Sequence, residues 1–258
     1  MTRIFCAMLL VAILCLPASA GERTLKVVSF ESPPYAFTDR DKIKGMLCDV
    51  VREGLSRMGL KVRFELVPWK RAVQMVRFGQ ADAIFYAVCN DERTTFLYYP
   101  HEPLVVESTI ALKKKGRKIA VDRDFSNAEK LFLGVGRGFY YGPRLEGLLA
   151  TRRFRKVEEA PGYAINLRKL LAGRIDILLA DRVPSAYFIY QQGMGKDIEP
   201  VTDDFGEVIV FDSVKSYLAF SRKTTLPEMA LQFGKVLLEM RRDGTYTAIE
   251  ARYTGNGN

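Results

Sequence analysis

The sequence is poor in the residues that build metal centres and catalytic triads. It contains one histidine, His101, and four cysteines among 258 residues. No Cys-x-x-Cys or His-Glu-x-x-His spacing occurs, so the sequence indicates neither a metal ion nor a cofactor. A Gly-x-Ser-x-Gly motif is also missing, and His101 lies in YYPHEPL, away from any candidate nucleophile. A catalytic site would need carboxylates or tyrosines that folding brings together.

Long apolar runs are missing after residue 20. Before it, Arg3 precedes IFCAMLLVAILCLP, and the small residues of ASA, Ala18 to Ala20, come before Gly21. This layout is typical of a secretory signal peptide, and the run is shorter than the roughly 20 residues that a bilayer span needs. We therefore expect residues 1–20 to be a signal peptide that is cleaved after Ala20.

Positive charge exceeds negative charge but is not concentrated. The formal net charge is +9, and the only basic clusters are short, at 113–115 and 152–156. A scattered excess of this kind does not predict a nucleic-acid partner. Outside the expected signal peptide the chain keeps two cysteines, Cys48 and Cys89. They could form a disulfide in an oxidising compartment, and the sequence leaves that pairing open.

Strand and helix patterns alternate along the chain. TLKVVSF, LKVRFELV and ADAIFYAV read as strands, with helical patterns in KGMLCDVVREGLSRMG and WKRAVQMVRFG between them. This βαβαβ order implies a parallel sheet covered by helices. After the extended segment ESTIALKKKGRK a second α/β half follows, and EVIVFDSVKSYLAFSRK leads back to two final helices. The pattern predicts two α/β lobes joined by two crossing strands, with a cleft between them.

Two charged residues follow strands at equivalent places in the two halves. Arg93 comes just after ADAIFYAV, and Asp181 comes directly after IDILLA. Ligands of parallel α/β sheets bind outside the carboxyl ends of the strands, and an arginine can hold a carboxylate through two parallel hydrogen bonds. A helix N-cap is the alternative role for Asp181. Facing each other across a cleft, the two residues would suit a zwitterion.

A glycine-rich turn and several aromatic residues lie near the same strand ends. GVGRGFYYG does not fit the Gly-x-Gly-x-x-Gly motif of dinucleotide sites. We expect the backbone amides of Gly138, Phe139 and Tyr140 to face outward at a helix N-terminus and to form an anion site, with a plain tight turn as the alternative. The other aromatic residues near strand ends are Tyr35, Trp69, Phe85 and Tyr86. Each could be a core residue, but together they predict the wall of a ligand pocket.

Seven segments together resemble a known family. In chain order they are SPPYAF, KGMLCDVVREGLSRMG, VPWKRAVQMVRFGQADAIF, NDER followed by FLYYPHEPL, GVGRGFYYG, IDILLADRVPSA and RRDGTYTAIEARY. Their order is similar to that of bacterial periplasmic solute-binding proteins of the polar amino acid ABC importer type, the family 3 extracellular solute-binding proteins. The resemblance implies a type II, two-lobe Venus-flytrap fold of the α/β class, with a mostly parallel sheet in each lobe and two crossing strands as hinge. Lobe 1 would comprise residues 21–112 and 214–258, and lobe 2 residues 113–213.

The resemblance also implies roles for single residues. The arginine that ends the family's T-x-x-R motif binds the ligand carboxylate and corresponds to Arg93. The aspartate after the late strand of the second lobe binds the ligand ammonium and corresponds to Asp181. The aromatic residue that opens the helix after the second strand borders the side-chain pocket and corresponds to Trp69. Tyr86 is expected in the pocket on other grounds, as one of the aromatic residues near the strand ends.

Several positions depart from the family pattern. Asn90 replaces the motif threonine, Val88 replaces a serine that assists binding, and Phe139 and Tyr140 replace small hydroxyl residues. A stacking aromatic residue that the family has near the end of the first strand corresponds to Ser32, with Tyr35 as the nearest aromatic alternative. These changes remove hydrogen-bonding groups and add apolar surface. They favour an aromatic or other organic acid as much as a polar amino acid.

The sequence therefore predicts a monomeric periplasmic receptor for a small carboxylate-bearing solute, an amino acid or a related organic acid. It would deliver that solute to an inner-membrane ABC permease and would not be an enzyme. The alternative is an enzyme on the same fold, such as a cyclohexadienyl dehydratase-like lyase. A sensory module is a third hypothesis.

Overall fold

The computed structural model describes residues 23–151 and 153–254. The predicted signal peptide, residues 1–20, lies outside these ranges. Within them, no helix is both long enough and apolar enough to cross a membrane.

The first half of the chain has the expected alternation of strands and helices. Helix α1 buries Leu47, Val50, Val51 and Leu55, which share one face at helical spacing, whereas every residue of β5 is buried. The elements of this half are β1 (Thr24–Ser29), β2 (Phe37–Asp39), β3 (Lys42–Lys44), α1 (Met46–Arg57), β4 (Lys61–Leu66), α2 (Trp69–Arg77), β5 (Ala83–Val88), α3 (Asp91–Thr94) and β6 (Leu97–Tyr98). Strand β1 pairs in parallel with β4 and β5, which confirms the predicted parallel sheet.

The second half repeats the alternation between two long crossing strands. Its elements are β7 (Val105–Lys114), β8 (Phe132–Gly136), α4 (Pro143–Ala150), β9 (Lys156–Ala160), α5 (Tyr163–Leu171), β10 (Ile177–Asp181), α6 (Arg182–Gln191), β11 (Ile198–Pro200) and β12 (Val210–Ser221), and the chain continues into α7 (Pro227–Arg242) and α8 (Thr245–Thr254). Strand β8 pairs in parallel with β9 and β10.

One curled mixed sheet runs through both lobes. Its strand order is β4-β1-β5-β12-β7-β10-β8-β9, with β6 beside β12 and β11 beside β7. The crossing strands β7 and β12 are antiparallel neighbours at its centre, where β12 pairs with β5 of the first lobe and β7 pairs with β10 of the second. The two-lobe α/β architecture with two crossing strands is confirmed.

Two hydrophobic cores lie on this sheet. One packs α1, α2 and α7 on the first lobe, where it includes Leu55 and Phe233, and continues into the second lobe at α5 with Leu167. The other lies within the second lobe around Phe125 and Phe211, whose rings stack with their centres 4.6 Å apart. Helices α7 and α8 return to pack on α1, so the end of the described chain completes the first lobe. The carboxyl ends of β1, β5, β8 and β10 consequently meet between the lobes.

Candidate ligand site between the lobes

A cavity lies where these strand ends meet. The cavity is small: the centre of a water molecule can occupy about 30 Å³ of it, which is room for one or two water molecules. Its walls come from both lobes and both crossing strands, and they combine aromatic rings with a few charged groups. The lining residues are Phe30, Trp69, Tyr86, Val88, Arg93, Glu107, Thr109, Phe139, Tyr140, Tyr141, Tyr163, Asp181 and Val214.

Arg93 is a buried cation in this wall. The Asn90 side chain caps α3 by accepting a hydrogen bond from the Arg93 amide at 2.8 Å. This bond holds the backbone from which the arginine side chain extends. Its guanidinium donates to the Val88 and Gly138 carbonyls at 2.9 and 3.3 Å and lies 5.2 Å from the centre of the Trp69 ring. Burial lowers the pKa of Arg93, but an arginine keeps its charge at physiological pH. No ion pair between described residues includes this guanidinium, so its charge can accept a carboxylate.

Asp181 lines the same cavity from the other lobe. It stands at the N-cap position of α6, but its carboxylate makes no capping hydrogen bond. Instead the carboxylate accepts from the Tyr86 hydroxyl at 2.5 Å and from the Ser108 amide at 3.2 Å. Burial raises the pKa of Asp181, while these hydrogen bonds act in the opposite direction. Its side chain therefore lines the cavity, and the backbone amides of Arg182 and Val183 at the start of α6 also lower its pKa.

A β-bulge places Tyr86 beside Asp181. The register between β5 and β12 shifts between Tyr217 and Ala219, opposite this part of β5. Tyr86 has a φ of +62°, in the left-handed region that non-glycine residues rarely adopt. Such backbone strain costs about 1–3 kcal/mol and is concentrated at functional sites. The bulge turns the phenol toward the second lobe, where it contacts the carboxylate.

Glu107 is an acidic wall residue that the sequence analysis missed. It lies on the crossing strand β7, and the Ser216 hydroxyl of β12 donates a hydrogen bond to its carboxylate. Burial, followed by the negative charge of Asp181, raises the pKa of Glu107. The signal in the sequence was an acidic residue within the otherwise apolar and small-residue segment VVESTIAL. The cavity thus contains two carboxyl groups and one guanidinium.

Aromatic rings from the two lobes touch across the cavity. Phe30, at the end of β1, lies 4.9 Å from Phe139 and 5.5 Å from Trp69 between ring centres. The Trp69 indole N–H donates to the Gly138 carbonyl at 2.9 Å, which joins the lobes by a direct hydrogen bond. The rings therefore occupy much of the space that a ligand would need.

The structure brings most of the predicted site residues together. Seven of the nine line the cavity, namely Trp69, Tyr86, Val88, Arg93, Phe139, Tyr140 and Asp181. Tyr35 lies behind the wall, where its ring packs edge-on against Tyr86 at 5.3 Å. Gly138 contributes a carbonyl that accepts from Trp69 and Arg93. Beyond Glu107, the wall residues that the sequence analysis missed are Phe30, Thr109, Tyr141, Tyr163 and Val214.

Three expectations are corrected. The Phe139 amide does not face outward, because it donates to the Gly136 carbonyl at 3.2 Å inside the turn. The aromatic ring at the end of the first strand is that of Phe30, which stacks on Tyr86 with ring centres 5.6 Å apart, whereas the resemblance placed Ser32 at that position and Tyr35 as the nearest aromatic alternative. Cys48 and Cys89 are free thiols, because Cys48 is buried in α1 whereas Cys89 is exposed after β5, so the considered disulfide is not formed.

Comparison with known proteins agrees with this architecture. The family model of bacterial extracellular solute-binding proteins, family 3, matches residues 25–256. The L-cystine-binding protein TcyA of Bacillus subtilis (strain 168) is 24% identical over 230 residues, which are 88% of this chain and 78% of that protein.

Solved structures share the fold. A histidine kinase sensor domain with similarity to periplasmic binding proteins has a TM-score of 0.77 at 22% identity, over 91% of this chain and 97% of that one. The ancestral amino acid-binding protein AncCDT-1, a precursor of cyclohexadienyl dehydratase, has a TM-score of 0.72 at 19% identity, over 89% and 94% of the two chains. The family match covers nearly all of the chain, and with it the cavity: this protein belongs to the bacterial extracellular solute-binding proteins, family 3.

Proposed function

We propose that the protein is a periplasmic receptor that binds an amino acid, or a related small organic acid, between its two lobes. The ligand carboxylate would bind Arg93 and its cationic nitrogen would bind Asp181. The receptor would act as a monomer, with lobes at 21–112 plus 214–258 and at 113–213, and would deliver its ligand to an inner-membrane ABC permease.

One observation carries this proposal: a buried guanidinium and a buried carboxylate line the same cavity, one from each lobe. Arg93 is 6% exposed and Asp181 is 4% exposed. Two of the five N–H groups of the guanidinium donate to backbone carbonyls, so the others can bind a carboxylate in a planar, two-bond geometry. A buried charge is costly unless it is paired, so a ligand of opposite charge gains most at such a position.

The test is a calorimetric screen of L-amino acids together with their α-amides and N-acetyl derivatives. The α-amide removes the carboxylate that Arg93 would bind, and the N-acetyl group removes the charge that Asp181 would bind. For an amino acid that binds, Arg93→Ala should raise the Kd at least tenfold, about 1.4 kcal/mol. Arg93→Lys should recover part of the loss, because a lysine keeps the charge without the planar geometry.

Arg155→Lys is the matched control, because the Arg155 guanidinium also lies over an aromatic ring, that of Phe132 at 5.1 Å, but lines no part of the cavity. Binding that is unaffected by Arg93→Ala, or equal binding of the acid and its α-amide, refutes the assignment of the carboxylate to Arg93.

A lyase on this fold is the second candidate, and Glu107 is the observation that favours it. A carboxyl group with a raised pKa can act as a general acid. Incubation with a cyclohexadienyl acid, followed by mass spectrometry, separates the two functions. A receptor returns the acid intact, whereas a lyase converts it.

A further inference from the structure

Glu107 has no role in the binding scheme just described, although it lies in the same cavity. Strand register explains its position. Asp181 of β10 pairs with Thr109 of β7, and Glu107 lies two residues before Thr109, on the same face of that strand. Residues related in this way are diagonal neighbours in an antiparallel pair, within reach of long side chains. The two carboxyl groups therefore border one part of the cavity.

Among the described residues, the strongest electrostatic influences on Glu107 include one cation, Arg93. Strand β12 contributes the Ser216 hydroxyl as a hydrogen-bond donor and the apolar Val214, which is the register partner of Glu107. The charged neighbours are Arg93 and Asp181, and the remaining titratable neighbours are phenols whose pKa values burial raises, so they stay neutral: Tyr35, Tyr86, Tyr141 and Tyr163. The ligand-free cavity therefore has one cation, Arg93, for two acidic groups, and a ligand carboxylate that pairs with Arg93 takes up that cation. Like charges so placed do not both ionise unless a positive charge joins them.

We propose that Glu107 is a further ligand-binding residue that holds a proton in the ligand-free protein and releases it to solvent when a second cationic nitrogen of the ligand enters beside Asp181. The inference rests on the proposed function, since Arg93 must bind the ligand carboxylate. A zwitterion leaves the proton on Glu107. A ligand with one carboxylate and two cationic nitrogens replaces that proton, which makes Glu107 the residue that distinguishes the two charge classes.

L-arginine and L-citrulline are suitable probes because they have nearly the same shape and differ by one positive charge. Binding is measured by calorimetry in phosphate and in Tris, whose different ionisation enthalpies report the protons exchanged. Near pH 6 we expect L-arginine to release close to one proton, and its affinity to rise up to about tenfold per pH unit while Glu107 is protonated. L-citrulline should release none, and its affinity should not follow pH in this way.

Glu107→Gln is the decisive variant, since glutamine keeps the shape and can still accept from Ser216. It should abolish the proton release and the pH dependence for L-arginine. Glu129→Gln, which makes the same change at an exposed residue outside the cavity, should leave both unchanged. Equal proton release by Glu107→Gln and the unmodified protein overturns the proposal.

A second measurement reports on the proton without any ligand. Infrared spectroscopy of the ligand-free protein at neutral pH should show a protonated carboxyl band that Glu107→Gln removes and Glu129→Gln keeps. A spectrum without such a band overturns the inference, and so does the failure of L-arginine, L-lysine and L-ornithine all to bind. The proposed function is judged separately, by the dependence of amino acid binding on Arg93 and on the α-carboxylate. It stands if L-citrulline or another zwitterion binds in that manner.

Discussion

Gly136→Ala tests whether the absence of a side chain at Gly136 gives the Phe139 ring its place in the cavity wall. Gly136 ends β8, and a Cβ atom added there would lie 2.3 Å from Cδ2 and 2.4 Å from Cγ of the Phe139 ring. Cβ atoms do not approach ring atoms so closely, so the ring must leave its position. The backbone of Gly136 lies outside the left-handed region, and the clash with the ring is therefore the main cost.

The magnitude follows from two opposing effects. Overpacking of a well-packed site costs about 1–3 kcal/mol. Replacing a glycine by alanine restricts the unfolded chain and returns about 0.4–1 kcal/mol. We expect Gly136→Ala to lower the free energy of unfolding by about 1–2 kcal/mol in urea denaturation.

A double-mutant cycle isolates the ring as the cause. In a Phe139→Ala background the added methyl group meets no ring, so Gly136→Ala should cost nothing there, and the coupling between the two changes should be about 1 kcal/mol or more. Gly147→Ala is the control, because Gly147 lies in α4 with nothing within 4 Å of an added Cβ, and this change should stabilise the protein. The same penalty for Gly136→Ala in both backgrounds would refute the reasoning.

Two further substitutions test the contact between the lobes and the half-buried Glu107. Trp69→Phe removes the N–H that donates to the Gly138 carbonyl and joins the lobes, and one hydrogen bond contributes about 0.5–1.5 kcal/mol. The arrangement in which the two lobes touch should therefore lose population, and small-angle scattering should give a larger radius of gyration. Unchanged scattering would contradict this. Burial raises the pKa of Glu107 above its ordinary value of 4.5, so the folded protein binds this proton more tightly than the unfolded chain, and stability should fall as pH rises from about 4.5 through the folded pKa. Glu107→Gln should reduce that fall in urea denaturation, and equal slopes for both proteins would show that Glu107 is not responsible.

The larger elements were predictable because burial sets the period of their sequences. Helix α1 buries residues at helical spacing, and β5 is buried on both faces, so either pattern can be recognised without a structure. The hairpin of β2 and β3 was not predicted. Its strands have three residues each, and its turn uses left-handed conformations at Arg40 and Asp41, which no glycine marks in the sequence.

The site divides in the same way between local and long-range information. Arg93 and Asp181 were identified because each lies at or shortly after the carboxyl end of a recognisable strand, which is where α/β sheets bind ligands. Glu107 was missed because only the register of β7 against β10 brings it beside Asp181, and that register joins residues about seventy positions apart. Phe30 was missed because the aromatic position was expected two residues further along the chain. Register and loop geometry depend on the whole fold, and a single sequence does not show them.

The contacts between the lobes set a condition on the ligand. The lobes already touch through Phe30 and Phe139 and through the hydrogen bond from Trp69 to Gly138. A ligand favours closure only by the difference between its own contacts and those it displaces. An apolar solute would exchange one aromatic contact for another and gain little. Charged groups act differently, because no ion pair between described residues neutralises Arg93, Glu107 or Asp181, and a ligand with matching charges would supply the missing partners. The aromatic wall therefore raises selectivity for charge, since solutes without charged groups have nothing to offset the contacts that they break.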